Sequence, residues 1–250
     1  MREPQFEQIL GVRFFNGSTE EAIAYIKCVR GYTVVPAAPA LANIQRDPHY
    51  RRALIDADLA IADSGFMVLL WRILRGRSVT RISGLRYLKI LLEDAALRER
   101  GRTFLILPNE AAREKALCWM RERSFEMSEN DCYLAPMYGS DVNDAALIAT
   151  LNTRRPEHVI VGLGGGTQEK LGRHLRDHLE YRPAIHCIGA AIAFLTGEQK
   201  PIPMWADRFY LGWLLRLARQ PRLFARRFSR AFLLPKLIWK YRENAPSRET

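Results

Sequence analysis

Six short β-branched runs separated by helical patterns predict an α/β protein with a Rossmann-like, mostly parallel sheet and flanking helices. Two further observations complete the expectation: a glycine-rich stretch follows the fifth run, and a block of cations lies beyond two prolines near residue 200. That block predicts a basic amphipathic helical C-terminal appendage. The division expected is therefore 1–200 for the α/β body and 201–250 for the appendage.

The runs fall at 33–35, 59–62, 103–107, 132–135, 158–163 and 184–188, with helical patterns near 48–57, 84–100, 110–123, 144–152 and 167–178. The last two helices open with residues suited to capping. In parallel sheets ligands bind beyond the carboxyl ends of the strands, so the loops that follow strands are where chemistry is expected.

At 250 residues and 48% hydrophobic content, the chain is long enough for one sizeable core. Cys28, Cys118, Cys132 and Cys187 form no CxxC pair and are expected to be reduced thiols buried in packing. The first residues have no apolar stretch of the signal-peptide type. No apolar run approaches the ~20 residues that span a bilayer. A cytoplasmic protein follows from these features.

The formal charge of +11 is concentrated at one end: ten Lys and Arg and no Asp or Glu lie between Arg208 and Arg242, which leaves +1 for the remainder. After Pro221, Arg222, Arg226 and Arg230 recur every four residues, and Phe224, Phe228 and Phe232 do so with an offset of two. On a helix the two rows face opposite sides. Such a helix suits the interface of an anionic membrane, or it packs its aromatic row on the body. Nucleic-acid binding is disfavoured, because the aromatics segregate to one face instead of interleaving with the cations.

Several loops could carry chemistry. The second run ends at Asp63, followed by Ser64 and Gly65; this carboxylate could cap the next helix or act as a general base. The fifth run feeds Gly162, Gly164, Gly165 and Gly166 into a helix, a loop that could cradle phosphate or simply make a tight turn. Gln168 and Glu169 in the first turn could bond a base or sugar, or complement the helix dipole. Gly189 opens a small-residue entry to another helix. Arg81, before Ser83 and Gly84, could meet an anion. His174 and His178 share a helix face at a possible metal spacing, but no carboxylate or cysteine joins them in a known pattern, so no metal site is expected. A covalent nucleophile signature is missing.

These residues resemble the WecG/TagA/CpsF family of bacterial glycosyltransferases over essentially the whole chain. Ala57-Asp-Leu-Ala-Ile-Ala-Asp63, Arg81-Ile-Ser-Gly-Leu85 and Val161-Gly-Leu-Gly-Gly-Gly-Thr-Gln-Glu-Lys170 are similar to three ordered family blocks. Ile188 to Gly197, Pro203-Met-Trp and Gly212-Trp-Leu-Leu-Arg216 resemble the family's C-terminal signature. The resemblance implies inverting, metal-independent transfer of a sugar from a UDP-sugar, which is a substrate and not a cofactor. The acceptor it implies is an undecaprenyl-diphosphate-linked saccharide, met at the inner face of the plasma membrane with help from the appendage. On this basis Asp63 is the general base, and Gln168, Glu169 and the glycine turns hold the donor. Arg81, Arg208, Arg216, Arg219 or Arg222 neutralise phosphate, and a homo-oligomer is compatible. Val35 and Ala37 stand where the family carries Thr and Asn. The alternatives are a nucleotide-binding oxidoreductase, which lacks its complete fingerprint here, and a non-enzymatic membrane-binding adaptor.

Overall fold

The computed structural model describes residues 3–189, 191–197 and 231–247. It opens with a hairpin that the β-branched pattern did not announce. Strands β1 (Phe6–Ile9) and β2 (Val12–Phe15) pair antiparallel around Leu10 and Gly11, whose φ angles are 52° and 81°. Positive φ at both turn positions gives the twist that a two-residue hairpin needs. Leu10 adopts it without being Asn or Gly, but its side chain is fully buried and its N–H donates to the Arg242 carbonyl at 2.9 Å.

Helix α1 (Thr19–Val29) follows, started by Ser18 and Glu21, which exchange side-chain and backbone hydrogen bonds as a capping box. The remaining strands are β3 (Gly31–Val34), β4 (Leu59–Ala60), β5 (Thr103–Leu107), β6 (Cys132–Leu134), β7 (His158–Val161) and β8 (Ala184–Cys187). All eight form one sheet in the order β1-β2-β4-β3-β8-β7-β5-β6, parallel throughout except for the hairpin. The two halves of the chain meet at the centre, where β3 pairs β8.

Every residue of β3, β5, β7 and β8 is buried, so the sheet must be covered on both faces. One face packs against α3 (Pro48–Ile55), α4 (Gly65–Arg75), α7 (Ala145–Arg154) and α8 (Thr167–His178), through side chains such as Leu54, Trp71, Leu151 and Leu171. The other packs against α1, α5 (Gly84–Glu93), α6 (Glu110–Arg121) and α9 (Ala191–Leu195). A single turn, α2 (Ala38–Leu41), follows β3. The helix expected near 84–100 is broken at Asp94, whose carboxylate accepts the Ala96 N–H at 3.0 Å and starts a separate 3₁₀ turn over Ala95–Arg98.

The boundary expected at residue 200 lies outside the described residues. Where the chain is described again, it is packed on the body: helix α10 (Leu234–Tyr241) lies beside α4, and Leu234, Leu237 and Ile238 join the core on that face. Beyond it, the Glu243 carbonyl accepts from Gly11 N–H at 2.8 Å. The Glu243 carboxylate lies 3.2 Å from Arg77, and Arg77 in turn reaches the nearly buried Glu7 at 3.0 Å. Glu7 also accepts from the indole N–H of the fully buried Trp71 at 2.8 Å. Hairpin, α4 and C-terminal segment are thereby one hydrogen-bonded unit.

The cysteines depart from expectation. Only Cys187 is buried; Cys28 and Cys118 are exposed and Cys132 is intermediate. Cys28 and Cys118 lie on the outer faces of α1 and α6, where a small thiol suffices without packing.

A polar string lies inside the sheet. His158 of β7 and His186 of β8 bond ring to ring at 3.0 Å, and Tyr87 of α5 closes the string at 2.9 Å on His186. Burial, reinforced by Lys27, Arg30 and Arg102, holds His158 down to about 4, and His186 is also lowered. A neutral buried imidazole stabilises the fold fully above its unfolded pKa near 6.5, and the stability is lost as pH falls towards the folded value. Melting temperature should therefore drop between about pH 6.5 and 4, by several degrees more in the native protein than in His158→Gln, as followed by circular dichroism.

Candidate active site

Asp63 sits just past β4, at the carboxyl edge of the sheet. It does not cap α4: Ser64 does, its hydroxyl accepting the Met67 N–H at 3.2 Å. The Asp63 carboxylate instead accepts the N–H of Gly84, the first residue of α5, at 3.1 Å, where the side chain of the N-cap Ser83 makes no capping bond. Arg81 runs alongside. A parallel bridge joins Ala62 to Arg81, the Arg81 Nε donates to the Asp63 carbonyl at 2.8 Å, and its guanidinium lies 3.9 Å from Asp63 Oδ1. The Asp63 side chain is 38% exposed and that of Arg81 is 16% exposed. The acid is thus held by the backbone of α5 and lies beside an arginine, with part of its side chain still exposed.

Gly84 itself is a residue that sequence reasoning passed over. A Cβ there would come within 3.2 Å of Val35, so the absence of a side chain lets α5 approach the end of β3 and bring its first N–H to Asp63. The loop after β3, Val35 to Pro39, contributes no side-chain donor or acceptor to this edge.

On the other side of the sheet's centre, one strand beyond β8, the glycine loop leaves β7. The glycines divide by role. Gly162 is a packing position, where a Cβ would stand 2.9 Å from Ile192. Gly164 and Gly166 have no neighbour within 4 Å of an added Cβ among the described residues, and Gly166 has φ +97°, a conformation that side chains resist. Gly165 faces α2, with 3.6 Å to Ala40. Gly189, at the end of β8, has φ +57° and lies over Gln168, whose amide atoms would be 3.3 Å from any added Cβ. Asp63 and the loop are three strand spacings apart, on the order of 14 Å.

Gln168 and Glu169 prove to be interior residues, 3% and 0% exposed. Glu169 accepts the Gly166 N–H at 2.6 Å and the Gln168 amide N–H at 3.1 Å. Burial raises its pKa, opposed by those bonds. Its carboxylate therefore braces the loop from beneath, while the Gln168 carbonyl oxygen is buried without a hydrogen-bond partner among the described residues. Arg208, Arg216, Arg219 and Arg222 lie outside the described residues.

A cleft of about 300 Å³ opens beside α8, lined by His49, Asp141, Lys170, Arg173, His174 and His178 among others. Its cations are already matched, Lys170 with Asp47 at 3.3 Å and Arg173 with Asp56 at 3.0 Å, and His174 Nε2 accepts the Asp144 N–H at 3.3 Å. It offers an anion little uncompensated charge.

A parallel sheet wound in two halves, with a carboxylate and an arginine at one strand end and an open glycine loop at another, defines a Rossmann-like α/β enzyme. The family model described as Glycosyl transferase WecG/TagA/CpsF family matches residues 7–249. The chain belongs to that family and is a glycosyltransferase. A curated relative, the N-acetylglucosaminyldiphosphoundecaprenol N-acetyl-beta-D-mannosaminyltransferase of Bacillus spizizenii, is 25% identical over 215 residues, which cover 86% of this chain and 80% of the relative.

Removing the brace under the loop has a measurable cost. In Glu169→Ala the Gly166 N–H and the Gln168 amide lose their buried acceptor, and urea unfolding should show a loss of about 1–3 kcal/mol. Amide exchange at Gly166 should accelerate. Glu169→Gln keeps one acceptor oxygen and should fall between the two.

Proposed function

We propose that the protein is an inverting glycosyltransferase that moves a sugar from a UDP-sugar onto an undecaprenyl-diphosphate-linked saccharide in bacterial surface or exopolysaccharide biosynthesis. The observation that carries this reading is the setting of Asp63: a partly exposed carboxylate at the carboxyl edge of the sheet, positioned by the Gly84 N–H and Arg81, in a chain of this glycosyltransferase family. The relative's printed name, with its diphosphoundecaprenol acceptor, supports the choice of a lipid-linked saccharide.

Asp63 takes the proton of an acceptor hydroxyl as that oxygen bonds to the anomeric carbon of the donor sugar. The bond from that carbon to the diphosphate oxygen breaks on the opposite face, and UDP departs with the electron pair. Attack from the opposite face inverts the anomeric centre. The leaving diphosphate gathers negative charge, which fixed donors aimed at it can stabilise. The amides of Gly164 and Gly165 and the N-terminus of α8 supply such donors, since Gly166 N–H is committed to Glu169. Arg81 and the arginines of the appendage add full positive charges, the arrangement we read as replacing a metal. The chain works at the inner face of the plasma membrane, reached through its basic appendage. No helix among the described residues is long and apolar enough to cross a membrane.

The test is UDP release across a panel of UDP-sugars with a lipid-linked saccharide acceptor. Release should require the acceptor, persist in a metal chelator and fall about 10²–10⁴-fold in Asp63→Ala. Release that ignores Asp63, or no turnover with any UDP-sugar, removes this reading.

A further inference from the structure

We propose that the body itself, through the outer face of α4, forms part of the surface that rests on an anionic lipid bilayer, together with the neighbouring outer face of α10. This rests on the reading of a transferase that works on a lipid-linked acceptor, and it assigns contact to a helix of the body as well as to the appendage.

Helix α4 has two faces. Met67 and Trp71 are buried against the sheet, whereas Leu69 and Ile73, four residues apart and so on one side, are 51% and 69% exposed. Large aliphatic side chains so exposed on the same helix face indicate a surface that is covered in use. Helix α10 packs beside α4 and repeats the arrangement: Leu234, Leu237 and Ile238 point into the core, while Trp239 is 69% exposed and Phe232, just before the helix, is 65% exposed. With Phe232 and Leu233 just before α10, the two elements account for five of the eight exposed large apolar side chains among the described residues.

The charges around this patch select its occupant. Neither α4 nor α10 contains an Asp or Glu. Arg72 lies between Leu69 and Ile73, and Lys236 and Lys240 flank Trp239; all three are exposed, and none pairs with a carboxylate among the described residues. A second copy of the chain would bring like charges together. An anionic bilayer accepts the apolar side chains into its interface and the cations among its phosphates, with tryptophan at the headgroup level. The position fits the proposed chemistry, because α4 begins two residues after Asp63, so a surface under α4 brings a lipid-linked acceptor to the general base.

The experiment compares the full chain with the double variant Leu69→Ser/Ile73→Ser in sedimentation with phosphatidylcholine vesicles, with and without phosphatidylglycerol. Both positions are exposed, so the variant should melt like the native protein. Its partition onto phosphatidylglycerol vesicles should fall about tenfold or more, as expected for removing two aliphatic side chains from an interface. UDP release with a short-chain, water-soluble acceptor should be unchanged. Met137→Ser, which alters a fully exposed apolar residue in the loop after β6, should bind vesicles like the native protein. Undiminished binding by the double variant overturns the proposal, as does a change in oligomeric state in sedimentation velocity, which would assign the patch to a second copy. If the variant loses binding while the native protein releases no UDP, the surface stands and the transferase chemistry fails.

Discussion

A parallel strand flanked by two others has no solvent face, and β3, β5, β7 and β8 are buried along their whole length. Helices must therefore cover the sheet on both sides, and each parallel strand hands its chain on across the same edge. That requirement leaves the carboxyl edge as the place where backbone can face water and ligand at once. Asp63, the Arg81 bridge, the glycine loop and Gly189 all lie on it, although they come from four separate stretches of sequence. The edge is arranged by the sheet before any side chain acts.

Two carboxylates on this edge show how surroundings divide labour. Asp63 accepts a backbone N–H, has an arginine beside it and keeps 38% of its side chain exposed, a setting that a visitor can reach. Glu169 is sealed, with both oxygens committed to the loop that it supports. Sequence position alone suggested that both could face a ligand. The difference follows from helix geometry: Glu169 is third in its helix, where a side chain reaches back to the preceding turn, whereas Asp63 precedes a helix already capped by Ser64.

Much of the fold was legible because buried parallel strands read as short β-branched runs. Thr103–Leu107 and Thr167–His178 have the bounds that their patterns predict. The hairpin was not legible, since Phe6–Ile9 and Val12–Phe15 mix charged and apolar residues and turn at Leu-Gly instead of Asn-Gly. Its partners are also remote, and local pattern holds no trace of them. At the site, the positions of Asp63 and the glycines were readable from strand ends. The Gly84 N–H on Asp63 was not, because a backbone donor leaves no mark in a sequence. The exposure of Cys28 and Cys118 was missed for a related reason: residue type says what a side chain tolerates, and only the helix face says what it meets.

The bonds between the hairpin and the C-terminal segment have a bearing on how the chain is made. Gln8 donates to the carbonyl of Glu243 across 235 positions, and Leu10 and Gly11 bond to that same short stretch. During vectorial synthesis the hairpin emerges well before its partners, and its turn residues lack these acceptors until more than 230 further residues have followed. Contacts of such long sequence separation are slow to form. The edge of the sheet nearest Asp63 is thus sealed late, and a ribosome-bound fragment lacking those residues exposes the unsatisfied turn to whatever binds nascent chains.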